Sequence, residues 1–396
     1  MPRNGRGRDM AKEEFSGNRG EWSEPYVVLR LMADGKLYQA DKDMHPDKTD
    51  FAYVLSVNRG DVRADVRNNG VVVFSYKGSD GETHLIEALP TKLDGQARRL
   101  FKAICAVKKV QEKNGSFSLP DEVEDLKALG FRRLSSPLKD GGKTAKRDIE
   151  LAIASPKMGH ATLGFSVKSR LGSPATLLNA SGTTNVVYRI KGLTKEQAEA
   201  INAIDGSRKV MDKCRAIREL ATSIEYESYL NQTFFDNLEL VDSALPKMIA
   251  DLLKVYYFKQ LLLPRKRQRN VGARSADRLS LAVELLNQMP EYAAKRQTGF
   301  CEVKIKRFLY ACALGLKPSE AWNAKGDASG GYVVVLPDGQ LVALFVYNVD
   351  LFEHYLFTST FLERGSTSKH GFLTLVPDGD SGDYLLRLNI QIRFIQ

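Results

Sequence analysis

The chain has 396 residues, of which 43% are hydrophobic and 27% charged, a composition typical of a soluble globular protein of one to three domains. No stretch reaches the roughly 18 apolar residues of a membrane span, and the first residues contain no apolar segment typical of a signal peptide, so we expect a cytoplasmic protein. With 58 Lys and Arg against 48 Asp and Glu, the net charge of +10 favours a polyanionic partner.

Several classes of site are not supported by the sequence. The chain has 4 cysteines without CxxC or Cys/His metal spacing, which predicts free thiols. It has no GxxxxGK[ST] phosphate loop and no GxGxxG after a strand, so ATP-driven translocation and dinucleotide chemistry are not indicated. An RNP-type aromatic strand motif is also absent, which makes RNA a poorer partner than DNA.

The chain begins with a polar, basic arm over residues 1–20, which we expect to be flexible. The apolar run 26–33 then predicts a buried helix that ends at residues 34–35. Because proline is tolerated in a first helical turn, Pro25 places the helix start at residue 23 or 24.

Short strand-like runs follow within residues 51–90, separated by Gly- and Asp-containing turns, and they predict a small antiparallel sheet. Helical periodicity over residues 96–113 and 121–129 adds two helices.

Two apolar runs on either side of a turn predict an antiparallel pair of strands in one sheet. Residues two apart on a strand share a face, so Asp148 and Glu150 point one way from the first strand, and Ser166 and Lys168 point together from the second. A carboxylate and a lysine on neighbouring strands can hold a divalent ion and an attacking water against a phosphate. The two strands are predicted over residues 147–154 and 163–168.

The spacing of Asp148 and Ser166-Val167-Lys168 resembles the PD-(D/E)XK nuclease pattern, in which an acid precedes a second acid, any residue and a lysine. Arg147 replaces the proline of the pattern, a common change. Ser166 stands where the second acid is expected, which is a serious departure. On its own, an aspartate followed by a lysine at this distance is a weak signal.

Glu21 and Glu24 lie three residues apart, so a helical turn would place both on one face. The ordinary interpretation is that they are acids favoured by the dipole at a helix start. The PD-(D/E)XK fold commonly takes an additional glutamate from an early helix, so one of the two, with Glu24 preferred, is our candidate to replace the missing acid.

Helical periods dominate from the capping box at Thr194 to about Leu316. A basic segment at residues 264–274 interrupts them. It is either a solvated loop or a contact to DNA phosphates. The candidate DNA-binding residues there are Arg265, Lys266, Arg267 and Arg269.

The C-terminal part is predicted to be β structure, with hairpin turns at residues 337–340 and 378–382. The last strand, over residues 384–394, alternates apolar residues with polar ones. That polar face is either a solvated surface or a surface that reads bases in the major groove. Its members are Arg387, Asn389, Gln391 and Arg393.

Just upstream, residues 364–370 combine small hydroxyl side chains with basic ones, which suits contacts to phosphates and base edges. A lone histidine without a placed partner is more often structural or in contact with DNA than catalytic, so it is given no chemistry. The candidates are Arg364, Ser366, Thr367, Ser368, Lys369 and His370.

Five phrases, in this order, resemble the HpaII family of restriction endonucleases and span the chain from about residue 15 to residue 394. They are GEWSE (20–24), DGKLY (34–38), GFSVKSRLGSPATLLNASGTTN (164–185), RGSTSKH (364–370) and LNIQIRF (388–394). The resemblance implies an α/β (α+β) fold with a PD-(D/E)XK core, a mixed sheet, added helices and C-terminal antiparallel strands. We therefore expect a catalytic core over 21–192 with the small sheet (51–90) inserted, a mainly helical region over 193–325, and a DNA-recognition β region over 326–396.

The resemblance implies Mg²⁺-dependent cleavage of double-stranded DNA at a short palindromic site in a bacterial or archaeal cell. Asp148, a main-chain carbonyl near Val167, and Glu24 or Glu21 would hold the ion, with Glu150 as second choice. Ser166 would hold a metal-bound water, and Lys168 would orient the attacking one. Further candidates for positioning a phosphate are Asn179 and Asn185.

The resemblance also implies a homodimer, whose two-fold symmetry would match that of the site, and a companion DNA methyltransferase that protects the host. Two alternatives stay open at this point. One is a sequence-specific DNA-binding protein that does not cleave, because Ser166 replaces the acid. The other is a repair nuclease that recognises DNA structure.

Overall fold

In a computed structural model, the chain is described over residues 15–108, 112, 115–140, 143–259 and 279–395. These residues form two units, one within Met1–Ser173 and Asp327–Val346 and the other within Pro174–Gly326 and Tyr347–Gln396. The chain thus returns to the first unit for one hairpin. We had placed that hairpin in the C-terminal region and extended the core to residue 192, so the observed division differs at both points.

The first unit contains eleven strands and three helices among its described residues, with strands numbered along the whole chain. The strands are β1 Lys36–Ala40, β2 Pro46–Asn58, β3 Arg63–Val66, β4 Val72–Lys77, β5 Thr83–Ala88, β6 Lys139–Asp140, β7 Lys143–Thr144, β8 Ile149–Ser155, β9 Gly159–Ser169, β13 Gly331–Val335 and β14 Leu341–Phe345. The helices are α1 Arg19–Asp34, α2 Pro90–Ala106 and α3 Pro120–Ala128.

Nine of these strands form one sheet in the order β1-β14-β13-β9-β8-β2-β3-β4-β5. The pairs β1–β14 and β9–β13 are parallel, and the other pairs are antiparallel, so the sheet is mixed. β1 also pairs with the first half of β2, which closes six strands into a ring of pairings. The expected α/β class with a mixed sheet is confirmed.

β8 and β9 form the antiparallel pair that the sequence predicts. Along β8 buried and half-buried residues alternate, as expected for a strand with one face in the core. The pairing begins at Ile149↔Phe165, and both side chains are fully buried. This register places Asp148 beside the segment 166–168 of β9.

α1 begins earlier than expected. Asn18 caps it by accepting hydrogen bonds from the Gly20 and Glu21 N–H groups, and the helix starts at Arg19. Pro25 therefore lies inside the helix rather than in its first turn. At this position a proline removes one helical hydrogen bond and crowds the Glu21 carbonyl, while the Asn18 cap satisfies the helix start independently of it. The predicted end is confirmed, with Gly35 in the left-handed region at φ 63°.

The second unit contains helices and two small antiparallel sheets, ordered β12-β11-β17-β16 and β10-β18-β15. Its strands are β10 Thr176–Leu178, β11 Asn185–Lys191, β12 Ser223–Tyr229, β15 Thr360–Leu362, β16 Leu375–Pro377, β17 Tyr384–Asn389 and β18 Ile392–Phe394. Its helices are α4 Lys195–Ala203, α5 Lys209–Leu220, α6 Gln232–Val241, α7 Leu245–Lys254, α8 Leu279–Leu286, α9 Pro290–Ala293, α10 Phe300–Leu314 and α11 Val349–Thr358.

The single final strand that we predicted over residues 384–394 is wrong. The chain breaks at Ile390 and Gln391, so that β17 lies in the four-stranded sheet and β18 in the three-stranded one. The alternation of apolar and polar residues continues through the break because Ile390 and Ile392 are both buried in the interior of the second unit. The helical region also contains a strand, β12, that we did not predict.

Two further expectations concern the whole chain. All four cysteines are free thiols, as predicted. Within the ranges that the structure describes, no helix has the length and hydrophobicity needed to cross a bilayer.

Candidate active site

Asp148 lies immediately before β8 and is tied to β9 through both its backbone and its side chain. Its N–H donates to the Phe165 carbonyl at 2.9 Å, and its Oδ2 accepts a 2.7 Å hydrogen bond from the Val167 N–H. In a strand, the N–H and C=O of one residue face the same neighbour. The Val167 carbonyl therefore faces the side of β9 on which Asp148 lies.

Lys168 is the next residue of β9, and its charge acts on Asp148. Burial raises the pKa of the Asp148 carboxyl, whereas the Lys168 ammonium and the Val167 hydrogen bond lower it. The Lys168 Nζ lies 4.9 Å from the ring centroid of Tyr332 on β13, a strand that pairs with β9 in parallel. The aspartate and the lysine singled out from the sequence thus lie in one site.

α1 brings Glu24 to the same place. Burial, with a smaller contribution from the Asp148 charge, raises the pKa of Glu24 to about 8, against the lowering effects of Arg59 and a hydrogen bond with Ser135. Its side chain is 13% exposed, and its Oε2 lies 3.8 Å from the Arg59 Nε. A buried carboxylate whose pKa is raised by a neighbouring carboxylate favours a bound cation, which stabilises the charged form.

Glu21 has a different role. Its carboxylate accepts a 2.8 Å hydrogen bond from the Asn18 N–H and completes a capping box at the start of α1. The structure therefore separates the two glutamates, with Glu21 at the helix end and Glu24 beside Asp148. The sequence signal for this was the spacing from Asn18 to Glu21, which we missed by placing the helix start near Pro25.

Ser166 and Glu150 are engaged in other contacts. The Ser166 hydroxyl is fully buried and donates to the Lys146 carbonyl at 2.9 Å, so it anchors the segment before β8. The Glu150 carboxylate accepts from the Asn58 amide at 2.9 Å and from the Arg147 Nε at 3.1 Å. Both side chains are thus bonded to groups other than Asp148, and these contacts give no support to the metal-binding roles expected of them.

A model of the HpaII restriction endonuclease family matches residues 18–394. The chain belongs to this family. The type II restriction enzyme HpaII of Haemophilus parainfluenzae is 33% identical over 385 residues, which cover 97% of this chain and 99% of that enzyme. No solved structure matches the chain. The protein is therefore a sequence-specific type II restriction endonuclease, a site-specific deoxyribonuclease of a restriction-modification system.

The candidate metal ligands of this HpaII-family enzyme are two carboxylates and a main-chain carbonyl. Among the described residues, no group of three or more His, Cys, Asp or Glu side chains could hold a metal ion. Asp148, Glu24 and the Val167 carbonyl form an oxygen-only set with two acids, and Mg²⁺ is usually bound by one or two carboxylates while it keeps several waters. The residues present thus fit Mg²⁺.

The candidate DNA contacts of this HpaII-family chain at residues 364–370 form an exposed loop of the second unit. All six candidates are exposed except Thr367, which is half-buried. The loop is fixed at its end, where the Asn185 amide donates to the His370 carbonyl at 2.9 Å and His370 takes a left-handed conformation at φ 57°. Asn185 itself is fully buried, which does not support its expected phosphate contact, whereas Asn179 is exposed after β10.

The polar face predicted for the last strand is not a continuous surface. Asn389 is buried at 1% exposure, and Arg393 bonds to Glu363 and to the Pro174 carbonyl. Arg387 and Gln391 are half-buried, the first in β17 and the second in the break between β17 and β18. The basic candidates Arg265, Lys266, Arg267 and Arg269 lie outside the described residues.

Proposed function

We propose that this restriction endonuclease makes double-strand breaks at a short palindromic DNA site by Mg²⁺-dependent hydrolysis in a PD-(D/E)XK-type site. The observation that carries the proposal is the hydrogen bond from the Val167 N–H to Asp148, with the Lys168 charge acting on the same carboxylate. It gives the Asp-and-Lys part of that pattern a defined geometry on two paired strands.

Asp148, Glu24 and the Val167 carbonyl would hold the ion. When bound, Mg²⁺ supplies Lewis acidity that polarises the scissile phosphate and stabilises its developing charge. Glu24 replaces the second acid of the pattern, whose position is occupied by Ser166. This accounts for a functional site in which the second-acid position is filled from α1 rather than from β9.

Lys168 orients the attacking water and favours its deprotonation. The water oxygen bonds to phosphorus while the bond to the leaving sugar oxygen breaks, and that oxygen takes up a proton. Lys168 follows Val167 in the strand, so the main chain that holds Asp148 also places the ammonium. Its contact with the Tyr332 ring restricts the side chain further.

The exposed loop at residues 364–370 contacts DNA phosphates and base edges, joined by Asn179 and the basic residues of 264–274. A palindromic site is read by a symmetric pair of subunits, so the active form is a homodimer. A methyltransferase modifies the same site in the host DNA without having to bind this protein.

Digestion of a sequenced plasmid tests the proposal. The wild type with Mg²⁺ should give fragments of fixed length, and removal of Mg²⁺ with a chelator should abolish them. Asp148→Ala and Lys168→Ala should yield no fragments while they still retard the same DNA in a gel. Full cleavage by either variant, or by the wild type in a chelator, would refute the assigned site.

A further inference from the structure

Arg59 is fully buried beside Glu24, one of the candidate metal ligands. It follows β2, where the turn through Gly60 and Asp61 brings it against residues 133–136. Gly60 has φ 96°, and a Cβ there would lie 3.0 Å from the Ser136 carbonyl, so the turn requires glycine. The guanidinium is thereby enclosed between the turn and the N-terminal part of α1, which carries Glu24.

The nitrogen atoms of the Arg59 guanidinium differ in their hydrogen bonds. Nη2 donates to the carbonyls of Arg133 and Leu134 at 2.6 and 2.5 Å, which anchors the group to the main chain. Nε and Nη1 have no hydrogen-bond partner among the described residues, although both are buried. Nε lies 3.8 Å from Glu24 Oε2, and Nη1 lies 3.5 Å from Asp61 Oδ1.

A buried arginine that served packing alone would be expected to have all its donors satisfied, because unpaired buried donors are costly. Here the unsatisfied donors are those that face the two acids. Asp61 is itself held, since its Oδ2 accepts from the Arg132 N–H at 3.1 Å. Glu24, which also has a hydrogen bond with Ser135, is the acid that faces Nε, and its charge acts on the Asp148 site.

We propose that Arg59 is a positioning residue for Glu24: its Nε–H holds one oxygen of the carboxylate and leaves the other directed to the cation beside Asp148. The inference rests on the proposed role of Glu24 as a ligand. Arg59 has no exposed surface and does not touch DNA. It acts through Glu24, as partners of metal ligands commonly do.

A double-mutant cycle tests this inference with Mn²⁺ as the probe. Free Mn²⁺ is measured by electron paramagnetic resonance in titrations of the full-length wild type, Arg59→Met, Glu24→Gln and the double variant. We expect Arg59→Met to weaken Mn²⁺ binding about tenfold, within the range seen for partners of metal ligands. In the Glu24→Gln background the same change should have no further effect, because the group through which Arg59 acts is gone.

Arg63→Met is the matched control. Arg63 lies on the neighbouring strand and also pairs with an aspartate, Asp65, but its side chain is 52% exposed. Its Mn²⁺ affinity and its metal-free unfolding midpoint should equal those of the wild type. Metal-free retardation of plasmid DNA should be the same for all the variants, because Arg59 acts on the cation site and not on DNA binding.

Three results would overturn the inference. Arg59→Met that binds Mn²⁺ as tightly as the wild type excludes a positioning role. Equal weakening in both backgrounds shows that Arg59 acts independently of Glu24. If Glu24→Gln itself leaves Mn²⁺ binding unchanged, the proposed ligand set fails, and this inference fails with it.

If Arg59→Met does not fold, Arg59→Lys carries the same cycle. A lysine keeps the charge but cannot reach the two carbonyls and Glu24 together, since it lacks the planar guanidinium fork. It should weaken Mn²⁺ binding in the wild-type background and not in the Glu24→Gln background. Wild-type affinity in Arg59→Lys would mean that charge alone suffices and would refute positioning by Nε.

Discussion

The Val167 N–H donates a 2.7 Å hydrogen bond to Asp148 Oδ2 just beyond the end of the β8–β9 pairing. The main chain of β9 therefore orients this carboxylate. Because Lys168 is the next residue of that strand, a single stretch of backbone places both the acid and the ammonium. Changes at Asp148 should separate the effect of its charge from the effect of this hydrogen bond.

Asp148→Asn keeps an oxygen that can accept from Val167 but removes the negative charge. We expect cleavage of a plasmid to fall at least about 100-fold, as when a group that stabilises transition-state charge is lost. The unfolding midpoint should stay near that of the wild type. Asp148→Ala should also lose stability, about 1 kcal/mol, because the partly buried Val167 N–H loses its acceptor.

Glu150→Gln is the control for this prediction, since Glu150 lies in the same strand but bonds to Asn58 and Arg147. Its cleavage rate should stay within about threefold of the wild type, as for residues outside the reacting site. A large loss in Glu150→Gln together with full activity in Asp148→Asn would reverse the assignment of the ligand.

Lys168→Met tests whether the ammonium acts on the water or on the cation. We expect the maximal cleavage rate to fall by roughly 10²–10⁴-fold, the usual contribution of a group that assists proton transfer. The Mg²⁺ concentration for half-maximal rate should not rise, because a positive charge is removed from the cation site. The measurement is a Mg²⁺ titration of plasmid cleavage, and a rise in that concentration with an intact maximal rate would contradict the role.

How far the sequence predicts this site depends on the range of each interaction. Asp148 and Lys168 could be brought together in advance, because a short turn joins two strands and fixes their pairing. The partner of β9 on its other side, β13, could not, since strand periodicity does not identify a partner far along the chain. The local hairpin of β13 and β14 was nevertheless predicted from its Pro-Asp-Gly turn.

The position of Glu24 shows a second limit. The sequence indicates two acids on an early helix, but only the packing of α1 against β9 decides which acid meets Asp148. Arg59 was not singled out at all. Its Arg-Gly-Asp segment is an ordinary turn sequence, and the burial of its guanidinium comes from residues 133–136, which no local pattern links to it.

The raised pKa of Glu24 predicts a pH dependence of stability in metal-free buffer. The pKa of Glu24 is raised from 4.5 to about 8, and burial is the largest cause. A group whose folded pKa is raised contributes stability that is complete below its unfolded pKa and is lost as pH rises through its folded pKa. The wild type should therefore lose stability between pH 4.5 and about 8 relative to Glu24→Gln.

The measurement is denaturant unfolding of both proteins across this pH range, with and without Mg²⁺. The ion should reduce the loss in the wild type at pH 8, because it favours the carboxylate form. Glu21→Gln serves as the control and should keep nearly the wild-type profile, since that side chain can still cap the helix and its charge is the last of the causes of the Glu24 shift. Parallel profiles for the wild type and Glu24→Gln would contradict the raised pKa.

The exposed loop at residues 364–370 predicts a measurable electrostatic contribution to DNA binding. Lys369 is exposed in this loop, and its backbone N–H bonds to the Ser366 carbonyl, so the loop keeps its shape when the side chain is removed. Lys369→Ala should weaken binding of plasmid DNA and reduce the slope of log affinity against log salt by about 1. Lys195 provides the comparison, because it is 79% exposed on α4 of the same unit.

Both changes are best introduced into Asp148→Asn, so that binding is measured without cleavage. Lys195→Ala should leave the affinity and the salt slope unchanged, since a phosphate contact and not net charge alone is at issue. Equal losses in the two variants would show that only the total charge of the protein matters. In that case residues 364–370 would not be a DNA contact, and recognition would have to lie elsewhere in the chain.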